Sequence, residues 1–367
     1  MKIPQFQPYL DSKEYKSIES CFDNNWITEG PKSKEFVERL CSFIGCKYAV
    51  LAPNGTLSLY MALKSIGIGV GDEVLVPNFT FIATANAVEM CGAKPVFVDI
   101  NEDLHINVLE CEKLVSKKTK AIMPVHIYGM ACNMDEILNF SKKHKLKVVE
   151  DAAQAIGVYW DGKHSGTFGD VGSFSFFADK TITTGEGGLV VTNDEKIFNQ
   201  LQYIRNQGRI DRGSFIHPEI GYNFRMTDIQ SAIGLTQLEK LDDIIQKKTK
   251  ILELYKQNLN PKIKIIEPQE KSNHIPFRVC ITVPDGSNEL MEYMKEKGIE
   301  TRTFFYPLHK QPAYKNSISF FKKILKKQSF SISEKMYNEG VCLPSFVSIS
   351  EEQIKYICHT INEFLYR

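Results

Sequence analysis

An excess of charge of either sign is missing from this sequence: 45 lysines and arginines stand against 44 aspartates and glutamates, a formal net charge of +1. With no basic excess and no basic run interleaved with aromatics, a nucleic-acid partner is not expected. No apolar stretch is long enough to span a bilayer, and Met1-Lys-Ile-Pro-Gln-Phe6 lacks the apolar core of a signal peptide. The expectation is a cytoplasmic protein without a membrane partner. The nine cysteines are odd in number and include no Cys-x-x-Cys pair and no metal-finger spacing, so no metal site is expected. Most of them sit among apolar neighbours, as reduced thiols do. Internal repeats are absent too, and the run from Lys322 to Lys327 reads as a solvated helix face.

What is present is an ordinary globular composition, 43% hydrophobic and 24% charged over 367 residues, which suits two domains. Between residues 47 and 195 short apolar runs alternate with helical patterns, the signature of a mainly parallel sheet covered on both faces. The runs are Tyr48–Leu51, Glu73–Pro77, Pro95–Asp99, Ala121–Val125, Lys147–Asp151, Gly172–Phe177 and Gly188–Thr192. Helical patterns at Thr56–Lys64 and Ala83–Met90 begin just past strand ends, the edge at which open α/β sheets bind ligands. A long helical pattern after Asp228 leads past Leu254 and out of this unit. From about residue 260 the rhythm becomes strand, helix, strand, helix. The predicted fold class is α/β, with a large domain at 1–240 on a mostly parallel seven-stranded sheet and a smaller C-terminal α+β domain at 241–367.

Candidate chemistry centres on Lys180, which follows the apolar, aromatic run Ser173-Phe-Ser-Phe-Phe177 and precedes a Thr- and Gly-rich loop. A lysine at the end of a buried strand loses its proton more easily than one in water and becomes a nucleophile toward carbonyls. The alternative is a strand-terminal lysine snorkelling to solvent. Asp151 ends another predicted strand at the same edge. It is either the cap of a following helix or the acid that pairs with a protonated pyridine, the partner pyridoxal phosphate requires beside its lysine. Asn54-Gly55-Thr56 lies between strand and helix, where backbone N–H groups and a hydroxyl form a phosphate cradle. Ser175 offers a second hydroxyl.

These residues, with Trp26-Ile-Thr-Glu-Gly-Pro31, Thr80-Phe-Ile-Ala-Thr-Ala-Asn86, Glu150-Asp-Ala-Ala-Gln154, Gly221-Tyr-Asn-Phe-Arg-Met-Thr-Asp228 and Phe305-Tyr-Pro-Leu-His309, make the chain resemble the sugar aminotransferases of the DegT/DnrJ/EryC1/StrS family. The resemblance implies the fold-type I architecture of aspartate aminotransferase, with pyridoxal 5'-phosphate as cofactor. Lys180 would bind the cofactor aldehyde, Asp151 the pyridine nitrogen and Gln154 the ring hydroxyl, and Phe81 would stack on the ring. Gly55, Thr56, the Leu57 amide and Ser175 would hold the phosphate, completed by Asn223 from the second subunit of a homodimer. Trp26, Glu186, Arg225, Arg278 and His309 are candidates for substrate contacts, and Arg205, Arg209 and Arg212 are further candidates for an anionic group. Where sugar aminotransferases commonly carry a histidine and aromatic pair, this chain reads His274-Ile-Pro-Phe-Arg278.

The implied reaction moves an amino group from L-glutamate to a keto sugar. The run Lys180-Thr-Ile-Thr-Thr-Gly-Glu-Gly-Gly188 is similar to that of members aminating a GDP-linked 4-keto-6-deoxy sugar for surface polysaccharide. A small phosphorylated ketone such as dihydroxyacetone phosphate is the alternative acceptor. A cofactor-binding sensor and a sugar dehydratase are disfavoured by the intact Lys180, since the dehydratase branch carries histidine there.

Overall fold

The computed structural model describes residues 2–209, 213, 215–284, 286–315 and 329–366; Arg212 and the stretch from Lys322 to Lys327 lie outside the described residues. In chain order the first strands are β1 (Tyr48–Ala52), β2 (Glu73–Pro77), β3 (Lys94–Val98), β4 (Thr119–Ile122) and β5 (Lys147–Asp151). A short hairpin follows, β6 (Tyr159–Trp160) and β7 (Lys163–His164), then β8 (Val171–Ser175) and β9 (Gly188–Thr192). Among the described residues seven of these form one sheet in the order β1-β9-β8-β5-β4-β2-β3. Only β9 runs antiparallel to its neighbours. All seven strands therefore match the apolar runs of the sequence, three of them with identical bounds.

Helices cover both faces, which is why successive residues of these strands are buried on either side of the sheet. On β1, Ala49 and Leu51 point into one core with Phe36 and Leu40, while Val50 and Ala52 point into the other with Leu59 and Leu63. The helix Gly55–Ser65 buries most of its length against the sheet, and Asn54 caps it by accepting from the Leu57 N–H at 2.9 Å.

A second, smaller sheet is wholly antiparallel: β10 (Lys264–Ile265), β11 (Val279–Thr282), β12 (Arg302–Thr303) and β13 (Gly340–Leu343), in the order β10-β11-β13-β12. Its core takes in Val279, Ile281, Val341 and Leu343 with Ile354, Ile357 and Ile361 of the last helix, Glu351–Phe364. The long helical pattern after Asp228 is two helices, Asp228–Glu239 and Leu241–Asn258, separated at Lys240. Lys240 turns its ammonium to Glu14 (2.6 Å) and Asp11 (2.9 Å) at that break. The second of these helices joins the two cores: Leu241 and Ile244 pack with the large sheet, Ile251, Leu252 and Tyr255 with the small one.

Candidate active site

The turns that follow β1, β2, β5 and β8 converge at one edge of the large sheet and, with residues flanking β11 and β12, enclose a cleft of about 710 Å³. Of the residues singled out in the sequence, Gly55, Thr56, Leu57, Phe81, Asp151, Gln154, Ser175, Lys180, Glu186 and Arg278 line it.

Lys180 does not end a strand. Strand β8 stops at Ser175, and the chain turns so that the Lys180 N–H donates to the Phe177 carbonyl at 3.0 Å. The turn folds the lysine back over the sheet edge instead of letting it snorkel outward, and its side chain is 16% exposed. The ammonium lies 4.3 Å from the centre of the Phe277 ring and 3.7 Å from Asp179 Oδ1. Burial pushes the lysine below its ordinary value, against the opposing pull of Asp179 and Asp151, while Arg278 adds to the depression. More of it is therefore free amine at neutral pH than of a surface lysine.

Asp151 is the last residue of β5 and is buried. No helix follows it, so it caps none. Its Oδ2 accepts from Thr84 Oγ1 at 2.8 Å and its Oδ1 from the Ala153 N–H at 3.2 Å. Burial raises this carboxyl above its ordinary value, opposed by those two hydrogen bonds and by the charges of Lys180 and His126. Behind it a buried pair fixes the strand: Cys132 N–H donates to His126 Nδ1, which leaves Nε2 as the donor to Glu150 at 2.9 Å. Glu150 also accepts from the N–H groups of Gly166, Phe168 and Gly169. The Gln154 carboxamide oxygen accepts from the Tyr128 N–H at 2.8 Å, which leaves its NH2 group as a donor.

Gly55 faces Ser175. A Cβ on Gly55 would fall 2.8 Å from Ser175 Cβ and 3.0 Å from its Oγ, closer than side chains pack, so only glycine keeps this space open. Helix geometry leaves the Gly55 and Thr56 N–H groups without an intrahelical acceptor, at the positive end of the helix. The Leu57 amide, expected as a phosphate ligand, instead serves the Asn54 cap. Phe81 is 57% exposed and leans on Phe305, so one ring face remains open.

Six of the described candidates lie outside this cleft. Trp26 donates through Nε1 to the Glu29 carbonyl and lines a separate hollow with Arg205. Arg205 pairs with Glu29, and Arg225 donates to Asn206 Oδ1 at 3.0 Å. Arg209 lies over the Phe215 ring. His309 is held between Asn78 and Glu334 and stacks on Phe330, and burial lowers its basicity. Asn223 is exposed, bridged by its backbone to Asn206. Glu186 stands at the cleft rim, its carbonyl accepting from Thr184 Oγ1 and Gln230 Nε2.

Sequence reasoning missed Thr84, Asp179, Phe277, Arg302 and Phe305, all of which line the cleft. Asp179 was findable, as an acid adjacent to the proposed lysine. Its Oδ2 accepts from Arg278 Nη2 at 2.8 Å across 99 residues of sequence.

A buried amine, a buried acid at the adjacent strand end and an anion cradle form a donor set for an aldehyde cofactor bearing a ring nitrogen and a phosphate. The model of the DegT/DnrJ/EryC1/StrS aminotransferase family matches residues 8–362. The GDP-perosamine synthase of Escherichia coli O157:H7 is 42% identical over 99% of this chain and 98% of its own length, and that of Vibrio cholerae is 37% identical over 99% of each. Among solved structures, Helicobacter pylori PseC, an aminotransferase involved in the biosynthesis of pseudoaminic acid, superposes with a TM-score of 0.92 at 28% identity, covering 99% of both chains. The putative sugar aminotransferase Spr1654 of Streptococcus pneumoniae, in its PMP form, gives a TM-score of 0.91 at 25% identity, covering 99% of this chain and 98% of its own. The chain belongs to the DegT/DnrJ/EryC1/StrS aminotransferase family and is a pyridoxal-phosphate-dependent aminotransferase.

Proposed function

We propose that the protein transfers an amino group from L-glutamate to a GDP-linked 4-keto-6-deoxyhexose, supplying an amino sugar for surface polysaccharide. The observation that carries this reading is the end-to-end similarity to GDP-perosamine synthases, together with a cleft of about 710 Å³ that keeps both the lysine and the acid.

Pyridoxal phosphate fits the residues present. Gly55, Thr56 and Ser175 would hold its phosphate, Phe81 one ring face, Gln154 its ring hydroxyl, Asp151 its ring nitrogen and Lys180 its aldehyde. When bound, the cofactor supplies an electron sink for the donor's α-carbon. The protein's own part is acid–base work and restraint. Lys180 Nζ, displaced by the donor amine, takes the α-proton, which its depressed basicity and buried position suit it to do. In the second half the same amine delivers a proton to the acceptor carbon. Asp151, fixed by Thr84 and the Ala153 N–H, keeps the electron sink charged.

Two further points belong to this reading. Residues 1–240 and 241–367 act as large and small units, a division supported by the break at Lys240. The chain also pairs with a second copy, so that Asn223 of the partner subunit completes each phosphate site. Phe215, Ile216 and Ile220, 90%, 76% and 86% exposed, lie just before Asn223 and support a buried interface there.

The test is to treat the holoenzyme with L-glutamate, remove the donor, add a GDP- or dTDP-linked 4-keto-6-deoxy sugar and follow the cofactor absorbance. Rapid return of the original band with the GDP sugar is the expected result. No return with either sugar, but recovery with dihydroxyacetone phosphate, would overturn the acceptor and reassign the enzyme to small phosphorylated ketones.

A further inference from the structure

One charged group in the cleft is left half used. Arg278 is 8% exposed and lies immediately before β11, where its guanidinium gives Nη2 to Asp179 Oδ2 at 2.8 Å. The other terminal nitrogen, Nη1, is buried and finds no acceptor among the described residues. An arginine presents its donors as a planar fork matched to a carboxylate or phosphate, and a buried donor without an acceptor costs stability. The Asp179 side has the same character, for Oδ1 accepts no hydrogen bond and has only the Lys180 ammonium 3.7 Å away. Lys180 Nζ and Arg278 Cζ stand 4.3 Å and 4.9 Å from the centre of the same Phe277 ring. Behind them Lys248 is buried and donates to the Pro276 and Ser345 carbonyls, which fixes the segment that carries Arg278. What this corner lacks is therefore an acceptor for the buried Arg278 Nη1, a place an anionic oxygen would fill.

We propose that Arg278 binds the α-carboxylate of the amino donor, with Asp179 as the positioning residue that aims its guanidinium. This rests on the aminotransferase reading and specifies how the first substrate is held. Distance along the substrate decides between the two available anions. The donor's amine nitrogen must take the place of Lys180 Nζ, and its α-carboxylate is attached to the very next carbon. It therefore lands close to the lysine, as Arg278 does. The pyrophosphate of a sugar nucleotide is separated from its reacting carbonyl by most of the sugar ring and lies away from this corner. Asp179 also explains why an arginine beside the essential lysine does not simply repel it: the carboxylate stands between the two cations. When the donor displaces the lysine, its carboxylate meets the unsatisfied Nη1.

Two amines separate a carboxylate-binding role from a structural one. α-Methyl-L-glutamate has the α-carboxylate but no α-hydrogen, so it binds without proton transfer, while 4-aminobutanoate lacks the α-carboxylate. Both are titrated into the holoenzyme, and the cofactor absorbance gives the dissociation constant. In Arg278→Gln we expect α-methyl-L-glutamate to weaken by about 10- to 100-fold, the range for removing a hydrogen-bonded charge, while 4-aminobutanoate is nearly unchanged. Arg278→Lys, which keeps the charge but loses the fork, should fall between. The apparent KM for the keto sugar, measured on glutamate-treated enzyme, should not move.

Because Arg278→Gln leaves Asp179 unpaired, the neutral double variant Asp179→Asn/Arg278→Gln is measured beside it and should show the same selective loss. Equal weakening of both amines, or a loss confined to the keto sugar, overturns the proposal; the second result would place the arginine at the nucleotide. A wild-type enzyme whose spectrum does not respond to L-glutamate would instead count against the aminotransferase reading itself.

Discussion

Thr84→Val isolates one hydrogen bond that favours the ionised form of Asp151 over the protonated one. The substitution is nearly isosteric at a fully buried site and removes the hydroxyl that donates to Asp151 Oδ2 at 2.8 Å. Thr80, whose hydroxyl lies 3.0 Å from that of Thr84, also loses a partner. A hydrogen bond to an ionised group contributes about 1.5–3 kcal/mol and one between neutral groups about 0.5–1.5 kcal/mol. The variant should therefore lose about 1 kcal/mol more with Asp151 charged than with it protonated. The sign follows from proton binding. Burial already raises the folded-state value of Asp151, so between about pH 4, the unfolded value, and that raised value the folded protein binds more protons than the unfolded one. Stability from this group is present at low pH and is lost as pH rises through the folded value. Removing the Thr84 hydroxyl raises that value further. Urea unfolding of the cofactor-free protein from about pH 4 to about pH 8 should show a stability deficit of Thr84→Val that grows with pH. In the holoenzyme the acid limb of the kcat/KM profile should move to higher pH. A deficit that is constant across the range, or larger in acid, would refute the coupling of Thr84 to the charge of Asp151.

Gly55→Ala should weaken cofactor binding, because its methyl would press on Ser175. Overpacking of this kind costs about 1–3 kcal/mol, or roughly 5- to 150-fold in the dissociation constant read by fluorescence quenching, and an unchanged constant would remove Gly55 and Ser175 from the cradle. Lys180→Arg keeps a cation but offers no nucleophilic amine; borohydride treatment of the wild-type holoenzyme should fix the cofactor to the peptide containing Lys180, and the variant should take up none. Lys248→Met tests the buried base behind Arg278. Burial pushes Lys248 down to about 8, so between that value and its unfolded value the unfolded chain binds more protons, and wild-type stability from this group rises with pH. The stability of wild type relative to Lys248→Met, from urea unfolding, should increase from neutral to alkaline pH, and a gap that narrows would contradict the assignment.

The strands Glu73–Pro77, Lys147–Asp151 and Gly188–Thr192 were legible to the residue because each is an apolar run closed by turn signals, and parallel strands buried on both faces have that form. Strand β13 was not legible: Gly340–Leu343 follows the helix Ser331–Glu339 with no intervening turn residue, so no boundary is marked. The single long helix expected after Asp228 is broken at Lys240, where the turn is held by an ion pair to residues 11 and 14. No local pattern carries that information. The site divides in the same way. Lys180, Asp151 and the Gly55–Thr56 turn each announce themselves through local context. Thr84 matters only because it meets Asp151 across 67 residues, and Arg278 only because it meets Asp179 across 99. Trp26, Arg225 and His309 match family segments, yet each is engaged elsewhere within this chain.

The backbone and the electrostatics of the cleft are coupled through one pair of strands. Asp151 lies opposite Ser173 in the β5–β8 register, and the Ala152 N–H donates to the Ser173 carbonyl, so the acid is clamped just where β5 leaves the sheet. Strand β8 continues two residues further to Ser175 before turning back, which is what sets Lys180 over the same edge. Burial there drives both groups toward neutrality, the lysine downward and the aspartic acid upward, and each opposes the other's shift. Each shift is opposed locally: Thr84 and the Ala153 N–H donate to the carboxylate and Asp179 faces the ammonium. Such a balance responds to what enters the cleft: a cationic ring nitrogen would draw Asp151 into its ionised form, and a carbonyl would consume the neutral form of Lys180. The same burial that makes these two residues costly to fold is what makes each reactive toward its own end of one ligand.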